Sequence, residues 1–408
     1  MNIKFLGGAS EVGSLAIHLE ENGTSLLFDY GMTPSNPPGF PMDAPRTDGV
    51  FLTHAHVDHS AMIPQLVKRH MAAIVATPMT AIIGAMLMAD SLKVADREGF
   101  MMPYGPEDVE ETVRRFDLMD FGDVVEVGDL EVQLHSAGHI PGATMYEVRG
   151  DRTALITGDV NTIDTRLVKK ANPVKSDILV MESTYAGRDH EPRWETEKRF
   201  LDKIEEVVER GGRAIIPAFA VGRTQEIMLL LRNSGYDIWL DGMGRGVNRL
   251  MLEYPEYLAN ATNLRRAKQR VREVRSSRGR EKHAVKGEVI ITTSGMMDGG
   301  PILSYLQHFK NDKRSAILLT GYQVEGSNAR LLREKGYVNM DGEPVKVECE
   351  VEFFDFSAHA GHTELVNLAR QVEPEDIVLC HGDNREALAA DLSEFDVHMP
   401  KEGEVLKL

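Results

Sequence analysis

Cysteine is scarce in this chain, since only Cys349 and Cys380 occur among 408 residues. Neither belongs to a Cys-x-x-Cys pair, which argues against a disulfide framework and against a cysteine-rich zinc knuckle. Cys380 ends the apolar run 377–380, a setting typical of a buried free thiol. Other side chains would have to supply the ligands of any metal site.

Long apolar runs are also missing. Residues 1–6 form a strand-like pattern with no signal-peptide core before it, and no apolar stretch has the length expected of a membrane span. With 42% hydrophobic and 27% charged residues, the composition is that of an ordinary globular protein. We therefore expect a cytoplasmic protein without a membrane partner, long enough for two or three domains.

Positive charge is in short supply. The formal net charge is −17, and an acidic protein is not an obvious nucleic-acid binder, because affinity for phosphate comes largely from lysine and arginine. The segment 265–286 is the exception, since it carries ten basic residues against Glu273 and Glu281. Such a segment can steer a polyanion, but a solvated helix and loop would have the same composition.

Two patterns of secondary structure follow one another along the chain. The first part alternates short strand-like runs, glycine-containing turns and a few helices. A regular alternation of strands and helices then follows, which favours a parallel sheet covered by helices. Short elements with histidine-containing loops return near the end. We therefore predict a middle α/β domain, residues 186–355, inserted into a first domain made of residues 1–185 and 356–408.

The most informative motif is His-x-His-x-Asp-His at residues 54–59, directly after the apolar run 49–52. His54 and His56 would point the same way in extended backbone, because side chains alternate with a period of two, so they could share one cation. Asp58 and His59 lie further round the turn and could bind a second cation about 3.5–4 Å away, as in two-metal hydrolytic sites. This mixture of nitrogen and oxygen ligands suits zinc.

Three later segments have the composition expected of further ligands. In each, an apolar strand-like run is followed by a polar side chain next to glycine. A single loop histidine or aspartate is usually only solvated, but three loops of the same design indicate ligands. The candidates are His139, Asp159 and His381.

Together these residues resemble the metallo-β-lactamase fold, an αββα sandwich, and the match begins with Asp29 ahead of the motif. Other stretches resemble the β-CASP branch of that superfamily, nucleic-acid nucleases with an inserted α/β domain. The resemblance covers essentially the whole chain. The chain is similar to the nuclease subunit of the cleavage and polyadenylation specificity factor in its short archaeal or prokaryotic form, and ribonuclease J is a more distant relative. The β-CASP-like stretches contain Glu182, His359, His381 and residues 217–226, 294–296 and 321–323.

The resemblance implies a zinc-dependent ribonuclease of RNA processing or decay, which hydrolyses phosphodiester bonds with two metal ions as an endonuclease, a 5′-to-3′ exonuclease, or both. The implied ligands are His54, His56 and His139 for one zinc, Asp58, His59 and His381 for the other, and Asp159 for both. Asp29 would fix a ligand histidine by a hydrogen bond, although a turn residue before Gly31 is the alternative.

The resemblance also assigns the chemical roles. The predicted catalytic residues are Asp58, His359 and Glu182, with His359 as the general acid and Glu182 holding its imidazole, because a carboxylate partner favours the imidazolium that can donate a proton. Phosphate contacts are assigned to Arg223, Ser294 and Gly295, although Gly295 could equally belong to a plain turn.

Three alternatives stay open from the sequence. A small-molecule hydrolase of the same fold would not need so large a middle domain. A DNA-directed β-CASP nuclease tends to lack histidine at the position of His381. A non-catalytic RNA-processing scaffold would have lost ligands that this chain retains. The expected partners are RNA and, beyond it, a second copy of the chain or an RNA-processing complex.

Overall fold

The computed structural model describes residues 1–35, 37–69, 73–321, 323–340 and 342–408. Tyr322, which belongs to one of the β-CASP-like stretches, lies outside these residues. The strands are β1 Asn2–Gly7, β2 Ala16–Glu21, β3 Thr24–Phe28, β4 Gly49–Phe51, β5 Ile74–Ala76, β6 Phe116–Leu118, β7 Val124–Val127, β8 Leu130–Ser136, β9 Thr144–Arg149, β10 Thr153–Ile156, β11 Ile178–Glu182, β12 Ala214–Pro217, β13 Ile238–Asp241, β14 Val271–Glu273, β15 Val289–Thr292, β16 Ala316–Leu319, β17 Tyr337–Met340, β18 Glu343–Lys346, β19 Glu350–Phe353, β20 Asp376–Cys380, β21 Asp396–His398 and β22 Val405–Lys407.

The structure also contains α-helices and two short 3-10 helices, Pro255–Tyr257 and Ala284–Lys286. The α-helices are α1 Val57–Ser60, α2 Ile63–Arg69, α3 Pro78–Glu98, α4 Pro106–Arg115, α5 Arg193–Glu209, α6 Arg223–Leu231, α7 Gly244–Glu253, α8 Ala261–Arg270, α9 Ser277–Lys282, α10 Pro301–Phe309, α11 Asn328–Lys335, α12 His362–Val372 and α13 Arg385–Asp391.

The chain forms two compact units. Unit 1 consists of Met1–Asp164, Lys169–Asp189 and His359–Leu408, and unit 2 consists of Thr165–Val168 and His190–Ala358. The domain boundaries expected from the sequence stay predictions: 1–185, 186–355 and 356–408.

Unit 1 is built on two seven-stranded sheets, ordered β22-β1-β2-β3-β4-β5-β6 and β21-β20-β11-β10-β9-β8-β7. Their inner faces share one core, in which the ring of Tyr146 from β9 lies 5.7 Å from Phe28 and 5.3 Å from Phe51, centroid to centroid. The opposite face of the first sheet packs against α2 and α3, for example through Leu52, Leu66 and Met88. These layers confirm the predicted metallo-β-lactamase sandwich.

The local sequence explains where α3 begins and ends. The hydroxyl of Thr77 accepts a hydrogen bond from the backbone N–H of Thr80, Pro78 occupies the first helical turn, and Gly99 closes the helix with φ of 78°. By length and composition this helix could cross a membrane, which corrects the expectation that no apolar stretch is long enough. A core helix passes the same test, and Met88 is fully buried in unit 1, so no membrane contact follows.

Unit 2 contains the predicted parallel sheet. Its strand order is β14-β13-β15-β12-β16-β19, and every neighbouring pair is parallel. A separate antiparallel pair joins β17 to β18. The alternation of strands and helices predicted the inner strands, whereas β14, β19 and the β17–β18 pair were missed, since they are short and only partly buried.

Candidate metal centre

The candidate ligands follow the carboxyl ends of strands in unit 1. The parallel strands β10, β11 and β20 are neighbours in one sheet, so the residues that follow or end them reach the same edge. Asp159 comes three residues after β10, Glu182 is the last residue of β11, and His381 comes directly after β20. His381 has φ of 52°, a left-handed conformation that is uncommon outside glycine and clusters at functional sites.

The first group of side chains contains three imidazoles and one carboxylate. Nε2 of His54 lies 3.0 Å from Nδ1 of His56, which lies 3.2 Å from Nε2 of His139. Oδ2 of Asp159 lies 3.4 Å from Nε2 of His54 and 3.5 Å from Nε2 of His139. These four residues can hold one cation, because one potential ligand atom from each lies within 4.8 Å of all the others.

The second group lies on the other side of the same carboxylate. Asp58, His59 and His381 also place potential ligand atoms within 4.8 Å of one another. Oδ1 of Asp159 lies 3.3 Å from Nε2 of His59 and 3.7 Å from Nε2 of His381. The two oxygens of Asp159 therefore face different groups, so this one carboxylate can contact a cation on each side.

Four buried atoms of His59, His381 and Asp159 lack a hydrogen-bond partner among the described residues. Nδ1 of His381 is one of them, and the other three are Oδ1 of Asp159 and the two atoms that face it, Nε2 of His59 at 3.3 Å and Nε2 of His381 at 3.7 Å. A buried polar atom left without a partner costs about 1–3 kcal/mol, so native proteins leave few of them. Here the last three belong to one set of nitrogen and oxygen ligands. The residues present therefore fit a bound cation, which would satisfy these atoms together.

A carboxylate outside both groups, that of Asp29, contacts the ring of His59. Oδ2 of Asp29 lies 2.7 Å from Nδ1 of His59, and because a carboxylate only accepts, Nδ1 carries the hydrogen and Nε2 is left to face the metal centre. Gly31 is needed close by, because a Cβ there would lie 1.7 Å from the carbonyl oxygen of Asp58.

Thr53 was missed by the sequence analysis. Its backbone N–H and its hydroxyl each donate to Asp29 at 2.7 Å. The hydroxyl also lies 3.1 Å from Nδ1 of His54. Because that hydroxyl already donates to Asp29, it accepts from His54, which leaves Nε2 of His54 as the ligand atom. A threonine directly before the motif was the only signal in the sequence, and it does not reveal which way the hydroxyl points.

His359 and Glu182 form a separate pair beside Asp159. Nδ1 of His359 lies 2.9 Å from Oε2 of Glu182, while Oε1 of Glu182 accepts from the backbone N–H of Val160 at 2.7 Å. Nε2 of His359 lies 3.8 Å from Oδ2 of Asp159. Burial alone would lower the pKa of His359, but Glu182 and Asp159 raise it to about 9. The pair can therefore hold a proton on Nε2.

Burial and neighbouring charges set the protonation of the ligands. Burial lowers the pKa of His54 well below its usual value. Burial would also lower the pKa of His59, but the carboxylates of Asp159 and Asp29 hold it well above that value. Burial would raise the pKa of Asp159, but His59, His359 and His54 hold it well below its usual range. The Asp159 carboxylate is therefore ionised and able to bind a cation.

The residues predicted to contact RNA lie in unit 2, near the carboxyl edge of its parallel sheet. Arg223 begins α6 and is buried, with its guanidinium donating to the carbonyl of Thr320. Ser294 follows β15 and donates its hydroxyl to the carbonyl of Gly299 at 3.2 Å. A Cβ at Gly295 would lie 3.0 Å from the backbone nitrogen of Phe219, so a side chain there would require Phe219 to move by a few tenths of an ångström. Their contact with RNA stays a prediction.

Three family descriptions match the chain. Residues 10–208 match the metallo-beta-lactamase superfamily, residues 224–332 match the Beta-Casp domain, and residues 344–400 match the Zn-dependent metallo-hydrolase RNA specificity domain. The matches cover both units.

Two relatives are similar over the full length of this chain. The "Probable RNase MJ4" of Methanocaldococcus jannaschii is 37% identical, with all of both chains covered. The "RNase aCSPSF2" of Saccharolobus solfataricus is 33% identical, with all of this chain and 85% of that chain covered. A crystal structure of an Enterococcus faecalis protein of unknown function superposes with a TM-score of 0.62 at 17% identity, covering 100% of this chain and 99% of that chain, which supports the fold alone.

Proposed function

This chain belongs to the β-CASP branch of the metallo-β-lactamase superfamily and is a metal-dependent ribonuclease, and we propose that it hydrolyses RNA with two zinc ions held by unit 1. The first zinc would be held by His54, His56 and His139, the second by Asp58, His59 and His381, and Asp159 would bind both. The observation that carries this proposal is the set of three buried, unsatisfied ligand atoms of His59, His381 and Asp159.

The spacing of the first group supports zinc. Four ligands arranged tetrahedrally at about 2.0–2.1 Å from zinc lie about 3.3 Å from one another. Four of the six corresponding separations are 3.0, 3.2, 3.4 and 3.5 Å, and the other two are within 4.8 Å. The donors are imidazole nitrogens and carboxylate oxygens, and zinc accepts both.

Bound divalent cations would supply an activated water and would offset charge on the phosphate oxygens. The side chains of unit 1 do the rest. The protonated Nε2 of His359 donates its hydrogen to the oxygen of the departing nucleoside, and the carboxylate of Glu182 holds the ring through Nδ1. Oδ2 of Asp159 lies 3.8 Å from Nε2 of His359, and Oδ2 of Asp58 lies 3.7 Å from Nε2 of His381. These two carboxylates therefore position the imidazoles around the centre.

The sharpest test removes one ligand at a time. Asp58→Ala and His59→Ala are purified as full-length proteins beside the parent, and zinc content, RNA cleavage and thermal unfolding are measured for each. We expect both variants to fold, to hold less zinc and to lose cleavage. His135→Ala is the matched control, since His135 precedes His139 by only four residues but bonds to Glu147 at 2.9 Å, so zinc content and cleavage should stay unchanged. Full cleavage by either ligand variant would contradict the assignment.

RNA is favoured over DNA because the relatives described above are named as ribonucleases. The cytoplasmic location, the RNA-processing complex and the homodimer expected from the sequence stay predictions.

A further inference from the structure

A strongly basic surface lies in unit 2, on α8, on α9 and on the loop between β14 and α9. We propose that this surface binds the RNA strand in addition to the metal centre, an inference that rests on the ribonuclease function proposed above. We define the basic surface as Arg265, Arg266, Arg270, Arg275, Arg278 and Lys282, all of which are exposed.

The helical part of the basic surface is ordered by the burial of the opposite side of α8. Leu264 and Ala267 are fully buried and fix that side of the helix in unit 2. With 3.6 residues per turn, Arg265, Arg266 and Arg270 fall within an arc of about 140° on the exposed side. Three guanidinium groups therefore face solvent from one side of a helix about 15 Å long.

The six residues of the basic surface form no ion pair with any carboxylate among the described residues. Elsewhere in the same segment, Arg272 pairs with Asp237 at 3.1 Å and Arg280 pairs with Asp241 at 2.6 Å. No carboxylate in the described part of the chain lies within 4.0 Å of a side-chain nitrogen of the six residues that define the surface. The chain has 63 acidic and 46 basic residues, so unpaired arginines grouped together are not a consequence of scarce carboxylates.

The chemistry of the surface favours RNA over an acidic protein. Five of its six residues are arginines, whose planar guanidinium groups bind phosphate through two hydrogen bonds and stack on flat rings. Within the same segment of the chain, Arg272 lies over the ring of Trp239 at 5.7 Å, and the ring of the exposed His283 is within 10° of parallel to that of Trp239, with the ring centroids 6.5 Å apart. The exposed ring of His283, which follows Lys282 in the chain, offers a face on which a single-stranded base can stack.

The test measures binding without cleavage. The full-length His359→Gln protein is combined with Arg265→Gln, Arg266→Gln and Arg270→Gln, and its affinity for a fluorescent single-stranded RNA is measured from 0.1 to 1 M salt, with a gel showing that the RNA stays intact. The matched control carries three exposed lysines of unit 2 changed to glutamine, which removes the same charge. These are Lys198, Lys313 and Lys335.

The expected effect follows from counterion release. If each arginine contacts one phosphate of a single strand, the slope of log affinity against log salt falls by about 0.7 per arginine, or about 2 for three. That corresponds to about 100-fold weaker binding at 0.1 M salt and to little difference near 1 M. The lysine control should bind like the His359→Gln parent.

Three results would overturn the inference. The first is an unchanged affinity and salt slope in the arginine variant, and the second is an equal loss of affinity in the lysine control. The third is an arginine variant that still binds RNA but no longer binds poly-glutamate, which would assign the surface to an acidic protein. Because no cleavage is needed, each of these results leaves the ribonuclease proposal standing, and failure of the cleavage test leaves the binding measurement valid.

Discussion

Asp29→Asn isolates the role of a buried carboxylate that touches no proposed zinc. Oδ1 of Asp29 accepts from the backbone of Thr53, and Oδ2 accepts from the hydroxyl of Thr53 and from Nδ1 of His59, all at 2.7 Å. Asparagine keeps the shape but replaces one oxygen with an NH2 group. With its oxygen on the backbone N–H of Thr53, its NH2 group must face His59.

That arrangement changes the tautomer of His59. Nδ1 can no longer donate and must accept, so the single hydrogen of the neutral ring moves to Nε2. Nε2 is the atom that faces Asp159 at 3.3 Å, and a protonated nitrogen cannot bind a metal. Loss of a partner of a ligand histidine typically weakens metal binding 10–100-fold, which equals about 1.4–2.7 kcal/mol. A lost charge-assisted hydrogen bond gives a similar figure, about 1.5–3 kcal/mol.

The assay is a zinc titration against a competing chelator, with thermal unfolding followed in parallel. Asp241→Asn is the control, since Asp241 is equally buried in unit 2 and accepts from the hydroxyl of Tyr305 at 3.0 Å. We expect the control to lose stability but to keep its zinc affinity. An unchanged zinc affinity in Asp29→Asn, or an equal change in the control, would refute the tautomer argument.

Three further predictions concern the same centre. Thr53→Val removes the hydroxyl between Asp29 and His54. A chelator titration should then show zinc bound about 2- to 12-fold more weakly, which is the value of one hydrogen bond. Thr53→Ser, which keeps the hydroxyl, should bind zinc like the parent protein. His359→Gln should lower the rate of single-turnover cleavage about 10²–10⁴-fold, the usual contribution of a general acid, and should leave the zinc content unchanged. A loss of zinc would instead identify His359 as a metal ligand. Glu182→Gln should also lower the rate of cleavage. Chelation should abolish cleavage and lower the melting temperature until zinc is added back, since a ligand at 100 times its Kd stabilises by about 2.7 kcal/mol; cleavage in excess chelator would contradict metal dependence.

Much of the fold was predictable because its patterns are local. The strands that bury both faces, such as β10 and β11, are continuous apolar runs, and the caps of α3 are visible in Thr77, Pro78 and Gly99. The edge strands β6 and β14 were not predictable, because they are only three residues long and are defined by one neighbour each.

The candidate site was predictable to the extent that its ligands carry distinctive side chains. Histidine or aspartate after an apolar run marks a strand end, and the structure brings all seven proposed ligands and the Glu182–His359 pair together in unit 1. The function of Thr53 could not be predicted, because threonine is common and its role depends on the direction of one hydroxyl hydrogen. Arg223 is buried and its guanidinium donates to the carbonyl of Thr320, a contact that the sequence does not reveal, and its binding to phosphate stays a prediction.

The charge of the centre explains how an acidic protein can act on RNA. Asp29, Asp58, Asp159 and Glu182 place four carboxylates around one small space, and without metal the raised pKa values of His59 and His359 offset only part of that charge. Two divalent cations would offset the four formal negative charges, so metal binding prepares the centre for a phosphate as well as for chemistry. The centre then has little net charge with which to attract a polyanion at a distance. Long-range attraction has to come from an unpaired basic surface elsewhere, and Arg265, Arg266 and Arg270 supply one.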